Sequence, residues 1–468
     1  MPAPDPMART ALEQAQEPSA ASPPARKPGS ASEATLNSAL AGRGAGGAPL
    51  ASLRERARVA YESLELPRWR RSGFWQTSFQ ELDLDSLAPI EQPPDATLPK
   101  ILGERSNAGV LVQRNASVVH VSLDQELSQR GVILCSLEQA AREHTELFER
   151  YYLRRLLLDR NKLEAASAAF WSGGAFLYVP PGLAIEDPFQ IVYEISGPGS
   201  AQYAHTLAIG DRGSEFRLRE YDIADAEFSG DALHAGQFEL YLEDAARCRL
   251  AHLTDWGAGA VSDCSTAVVE VGRDAYCHWL PSLLGGRLIR HHYELAVAGQ
   301  GGDMAFRGLL FSEGEEHLDV FAVDLHETGP SGGDVHWRGA ATGSSRASFE
   351  GLIRINPGAQ QTHTYLQFHS MMLSDQAKLD AIPSVLVSAD DVSASHGGTV
   401  GELDETKIFY MQTRGLTRPQ AVRVIVEGFF EPLIVQLDDP PLEQQIRDRI
   451  GTKLAAAAAD IERYALAR

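Results

Sequence analysis

The feature that most limits the fold is a recurrence of near-constant length in the middle of the chain. Beyond Phe170 apolar residues alternate at period two in short runs, such as Phe238/Leu240/Leu242 and Phe349/Ile353/Ile355, separated by Gly and Asp turns. A Gly- or Asp-rich turn, a small residue and an inward-looking residue recur at Phe216, Cys248, Cys277, Phe306 and Trp337, which are 32, 29, 29 and 31 positions apart. Short strands in series can build a sandwich, a barrel or a solenoid. Greek-key loops vary in length and stacked coils do not, so the spacing predicts a mainly β fold with a parallel β-helix (β-solenoid) core. A solenoid has two open ends that call for an atypical covering element. Helical signals stand on both sides of the strand region and are expected to supply it.

Those signals divide the chain into a disordered tail over 1–50, an N-terminal helical domain over 51–165, the β-helix core over 166–400 and a C-terminal helical domain over 401–468. Ala, Pro, Gly and Ser fill 31 of the first 50 positions, and without aromatic, Ile or Val side chains that stretch cannot offset its ordering entropy. A transit peptide is the competing reading, opposed by Asp5, Glu13, Glu17 and Glu33. Helix formers run from Leu53 to Leu66 and stop at Pro67; helical pattern returns from Ser136 to Leu163. Near the C-terminus, Asp404 can cap a helix that Gly415 closes. Thr417 and Gln420 have capping-box spacing with Pro419 in the first turn, and the helix they open is expected to reach Phe429. After Pro440 and Pro441, the residues Leu442, Ile446, Ile450 and Leu454 recur every fourth position, an apolar stripe that must dock on something.

Charge and cysteine content narrow the function. A net charge of -21 repels polyphosphate, so neither nucleic acid nor anionic membrane is an expected partner. Cys135, Cys248, Cys264 and Cys277 have no CxxC or finger spacing, which gives neither a disulfide framework nor a closed zinc site and points to a reducing, cytoplasmic setting. No run of about 18 apolar residues is present to suggest a membrane span. The chain lacks GxxxxGK[ST], a GxSxG elbow between a strand and a helix, HExxH and a strand-linked GxGxxG, so the strongest nucleotide, hydrolase and dehydrogenase signals are missing.

Weaker features remain. His363, Tyr365, Gln367 and His369 would share one strand face, but about 20 Å separates the two histidines, and a solvated face is the expectation. His291 reads as a hydrogen-bonded core histidine and His292 as a surface one; Cys248 and Cys277 read as small hydrophobes stacked in the interior. The most unusual segment is Ser388 to Gly401, where small residues surround Asp390, Asp391 and His396 between the last strand and a helix. It reads equally as a domain-joining turn capped by the two carboxylates and as a site where His396 is a metal ligand or an interface contact.

At this segment the sequence resembles the SufB/SufD family of iron–sulfur cluster assembly proteins, its SufD side more than its SufB side. The resemblance rests on Phe349-Glu-Gly-Leu-Ile-Arg354, Pro357-Gly-Ala-Gln360, Leu373-Ser-Asp375, Ile382-Pro383, Ala389-Asp-Asp-Val392, Ser395-His-Gly397, Thr399-Val-Gly401, Leu403-Asp404, Phe409-Tyr410 and Arg414-Gly415. Ser172-Gly-Gly-Ala-Phe-Leu-Tyr-Val-Pro180 adds a second patch, and the match spans roughly 165–430. It implies a parallel β-helix between helical domains and a non-catalytic scaffold that pairs with SufB through the β-helix. It also implies that the C-terminal helical domain binds the SufC ATPase, here through Leu442, Ile446 and Ile450. The family's interface histidine maps onto His396, a candidate ligand for a nascent iron–sulfur cluster shared with SufB, with Asp390, Asp391 and Ser395 around it. Ala394 stands where many SufD chains carry Cys, so this chain supplies no thiolate there. No tightly bound cofactor is expected in the isolated chain, and a homodimer is a possible state when it is alone. Two other readings stand beside this one: a carbohydrate-active β-helix enzyme working through Asp390 and Asp391, which adjacent placement on a strand would arrange badly, and a purely structural SufB partner.

Overall fold

The computed structural model describes residues 48–70, 76–91, 97–103, 106–225, 228–257 and 260–466. The tail expected over 1–50 therefore lies outside the described residues up to position 47, while Leu50 is already buried inside the helix Ala48–Ser63.

The strands form a solenoid of about eight coils, each coil giving one strand to a ten-stranded and one to an eleven-stranded sheet. Successive coils pair in parallel, for example Arg247–Asp255 with Tyr276–Gly285 and Thr362–Met372 with Val392–Glu402. The recurrence seen in the sequence is this coil. Phe216, Cys248 and Cys277 are in register and buried, as expected. Thereafter the register departs from the sequence spacing: Phe306 stands beside Trp279 and Trp337 beside Gly308. Each departure is an even number of residues, so both side chains still point inward. Gly308 accommodates the second because a Cβ there would collide with the Trp337 indole.

Helices cover the flanks of the solenoid. On one flank the N-terminal helices bury Leu207, Ile209, Leu233, Tyr241 and Cys264 on the outer face of one sheet. On the other, the C-terminal helices bury Val192, Tyr221, Leu253, Leu280 and Phe311 on the outer face of the second sheet. Where the helices cover a strand both of its faces are buried, and the alternation there is blurred.

The ends are treated differently from the flanks. At the N-terminal end the hairpin Gly109–Arg114 and Ser117–Leu123 and the strand Ile133–Cys135 extend the sheets, and Val132, Leu134, Leu123 and Leu127 pack on the interior core. At the C-terminal end Lys378–Val387 and Val392–Glu402 are the last strands of their sheets. The chain then turns aside to the flank. The expectation that helices cover both ends is corrected here: the outer sheet faces are apolar and compete for the helices.

Local signals place the helices well. Helical pattern over 136–163 resolves into Leu137–Glu143, Thr145–Tyr151 and Lys162–Phe170, broken near Leu153 at φ +52° and restarted by Asn161, whose side chain accepts from the Leu163 and Glu164 amides. Asp404 caps Glu405–Thr413, and Thr417 and Gln420 close the capping box of Arg418–Ile434, which continues past Phe429 through Pro432. In Pro440–Ala456 the side chains of Leu442, Ile446, Ile450 and Leu454 are buried against the solenoid flank. Arg449 pairs with Asp255 at 2.7 Å, and buried Lys453 sits between Glu313 at 3.0 Å and Glu316 at 3.1 Å. Burial pushes the Glu316 carboxyl up to about 7 against the opposing pull of Lys453. The stripe is thus an internal seam, each residue contributing about 1.5–3 kcal/mol of burial. Assigning Leu442, Ile446 and Ile450 to ATPase docking is corrected accordingly, since side chains with no exposed surface offer a partner nothing to touch.

Candidate site at the open end of the solenoid

His396 lies on the last strand of the solenoid, Val392–Glu402, and not in a domain-joining turn. Its orientation follows from the register. An interior column runs through Phe189, Leu218, Leu250, Trp279, Phe306, Val335 and Leu366, each beside the next in the stack, and His396 is its last member. The others are buried; the imidazole is exposed because among the described residues no further coil follows. On the opposite face Gly397 lies over the Tyr365 hydroxyl. A column of apolar side chains therefore ends in one imidazole at an open face.

The surroundings of His396 on that face are small and apolar. Val392 and Ala394 share its side of the strand and pack on the interior core, and Val400 follows at 48% exposure. Across the opening, Val385 and Val387 extend the buried columns of Ile353 and Ile355 and are themselves exposed. The backbone of Val392–Glu402 pairs on one side only, leaving an edge that another strand can meet.

The expected companions of His396 are not gathered around it. Asp391 precedes it by five residues, about 16 Å along a strand, and Asp390 is farther still. Asp391 is tied instead to the preceding coil, its amide donating to Gln360 Oε1 at 2.9 Å and its carbonyl accepting from the Gln361 amide at 2.5 Å. Ser395 points to the opposite face. The second-shell assignment of Asp390, Asp391 and Ser395 is corrected on this geometry, and the two carboxylates do not form an acid–base pair with the imidazole.

Other sequence readings are resolved by the packing. His363, Tyr365, Gln367 and His369 do form an outward row, with His369 bonded to Gln367 and Thr399. His291 is a core histidine held by Asp263 at 2.9 Å and Tyr293 at 2.8 Å. His292, expected at the surface, is buried beside Arg160 and Phe321, because the N-terminal helices cover that flank. Cys248 and Cys277 pair in register, and burial pushes both thiols up, away from the thiolate a metal would need.

One constellation was missed from sequence: Glu220, Asp222 and His252, buried inside the solenoid. Burial pushes the Glu220 carboxyl up, with Asp222 adding and His252 opposing. For His252 burial disfavours the imidazolium, yet Asp222 and Glu220 outweigh it and raise the group to about 9. A signal existed. Glu220 and Asp222 continue the inward alternation of Phe216 and Leu218, and His252 continues that of Cys248 and Leu250.

Comparison with known proteins agrees with the motifs. Residues 193–429 match the family described as SUF system FeS cluster assembly, SufBD core domain, and residues 106–191 match SufBD protein N-terminal region. The chain is 28% identical over 413 residues to the iron–sulfur cluster assembly protein SufD of Bacillus subtilis, covering 86% of this chain and 94% of that one. An iron–sulfur cluster assembly SufBD family protein of Staphylococcus epidermidis is 24% identical over 390 residues, covering 80% and 83%. With half of its length matched by the core domain alone, and the fold and its terminal imidazole in place, the chain belongs to the SufBD family of iron–sulfur cluster assembly proteins.

Proposed function

We propose that this chain is a SufD-like, non-catalytic scaffold subunit that pairs with a SufB-like paralogue through the open end of its solenoid. The observation that carries this reading is the interior column ending in exposed His396 among Ala394, Val400, Val385 and Val387. An apolar, unpaired sheet end matches the same feature of a homologous solenoid, so stacking two such ends continues both sheets. At that junction the imidazole can donate one ligand to a nascent cluster, the partner supplying thiolate because Ala394 cannot. The cluster is cargo: imidazole in place of a thiolate holds iron less firmly, which suits release to an acceptor. Alone, the chain carries no resident cluster, and two copies can meet end to end.

The SufC-like ATPase is assigned to a different surface from the buried stripe. Phe409 and Tyr410, 67% and 58% exposed on Glu405–Thr413, offer large apolar area on the C-terminal helices. Anaerobic co-expression with SufB-like and SufC-like partners tests the reading. The expected result is one complex containing all three chains with iron and sulfide bound, from which Phe409→Ser/Tyr410→Ser loses the ATPase and keeps the SufB-like chain. Failure of the two solenoid chains to co-purify would overturn it. Ala394 also favours a second reading, a purely structural partner, which the same complex distinguishes by cluster content in a His396 variant.

A further inference from the structure

We propose that Glu220, Asp222 and His252 form a binding site for one divalent first-row transition-metal ion inside the solenoid, separate from the open end. The three side chains come from adjacent coils, Glu220 beside His252 in register, and one donor atom from each lies within 4.8 Å of the others. His252 Nε2 is 2.6 Å from Asp222 Oδ2 and 3.8 Å from Glu220 Oε1. Ligands on an ion with bonds of about 2.1 Å stand about 3 Å apart, so small side-chain shifts admit the ion.

A neighbouring polar group shows what a finished structural network looks like here. Asp263 accepts from Trp256, Ser265 and His291, and His291 is also bonded to Tyr293. The Glu220 group is not finished. Among the described residues Asp222 Oδ1 and His252 Nδ1 have no hydrogen-bond partner, although both side chains are more than nine-tenths buried. All three residues line one small void together with Tyr193, His291 and Tyr293. In a site shut off from water, an ion would take the place of the proton that His252 shares with Asp222 and would also engage the orphaned carboxylate oxygen.

The donor set fixes the class of ion. One imidazole with two carboxylates suits Fe(II), Mn(II) or Zn(II) and gives no soft ligand for Cu(I). Cys248 lies four residues from His252, about 13 Å along the strand, so no thiolate joins the set. Thr206 Oγ1 donates to Glu220 Oε2 at 2.6 Å, and Tyr193 bonds Thr206 in turn, which holds one carboxylate in place as outer partners of metal ligands do. Five coils, about 24 Å, separate His252 from the level of His396, so the two sites are independent.

The test is metal analysis of the full-length chain purified from cells grown with added iron, manganese or zinc, followed by refolding of the stripped chain with Co(II). The wild type is expected to retain about one ion per chain and to show Co(II) ligand-field bands without a thiolate charge-transfer band. Glu220→Gln and Asp222→Asn should each lower retained metal at least about tenfold, whereas His396→Ala should keep it. Should the variants fail to fold, the wild-type stoichiometry and Co(II) spectrum still decide. A wild type that holds no ion and takes up no Co(II), a thiolate band, or folded variants with undiminished metal would each overturn the site.

Discussion

The two ends of the solenoid terminate the same two sheets and are treated in opposite ways, the first with antiparallel additions and the last with bare parallel strands. At the N-terminal end Leu134, Val132, Leu123 and Leu127 close the interior; at the C-terminal end the equivalent apolar columns run out at exposed Val385, Val387, Val400 and His396, with none of the described residues burying them. A bare end costs stability and invites strand addition, so one plugged and one open end is the pattern that a surface reserved for association would give, in line with the proposed pairing. The helices that could have served as a second plug are committed to the flank, where they bury an internal seam.

That contrast can be broken first at the seam. Ile450 has no exposed surface, so Ile450→Asp places an unpaired charge in an apolar seam and should cost more than about 4 kcal/mol, read as loss of the C-terminal helices in chemical unfolding. A mild effect would mean that the stripe is available to a partner after all. The ends come next as a matched pair. Leu134→Ala at the closed end should cost about 2–5 kcal/mol, whereas Val400→Asp at the open end should change stability by less than about 0.5 kcal/mol and abolish pairing with the SufB-like chain. Equal losses at the two positions would erase the distinction.

Acid sharpens the comparison between flank and ends. His278 is buried under the C-terminal helices near Leu437 and Asp439. Burial, then Arg249 and Arg307, lower it from the usual histidine value to about 4. A depressed folded value means that the unfolded chain binds more protons between about 6.5 and 4, so stability present above that window is lost as pH falls through it. The loss should be on the order of 2–3 kcal/mol, and His278→Gln should flatten it. A melting profile with the same slope in wild type and variant would remove His278 from the flank's account.

Patterns of short range carried most of the fold. Coil length, inward alternation and the caps at Asp404, Thr417 and Gln420 depend on neighbours in sequence, and the structure has them where the residues put them. Facts that depend on what lies across the fold were not readable in that way. An apolar stripe reports that Leu442, Ile446 and Ile450 are covered, not whether a flank or a partner covers them. His292 is polar by type and buried beside Arg160, more than a hundred positions away in the segment that leads into the helix Lys162–Phe170. Two-residue register shifts between coils leave the alternation intact and so cannot be seen in it. Inside, Glu220, Asp222 and His252 obey the inward parity, but residue type argued against burial. At the open end His396 was readable as the unusual residue. Its company was not, because proximity in sequence within a strand means separation of about 3.3 Å per residue.

Iron and acid-labile sulfide per complex, measured after anaerobic co-expression of wild type or His396→Ala with SufB-like and SufC-like partners, tests the reserved end most directly. The exposed position predicts a stability change below about 0.5 kcal/mol and an intact complex, while the proposed ligand role predicts that recovered cluster falls sharply, Ala394 offering no sulfur to replace the imidazole. Undiminished iron and sulfide in an intact variant complex would contradict the ligand role and leave the open end as a joint alone.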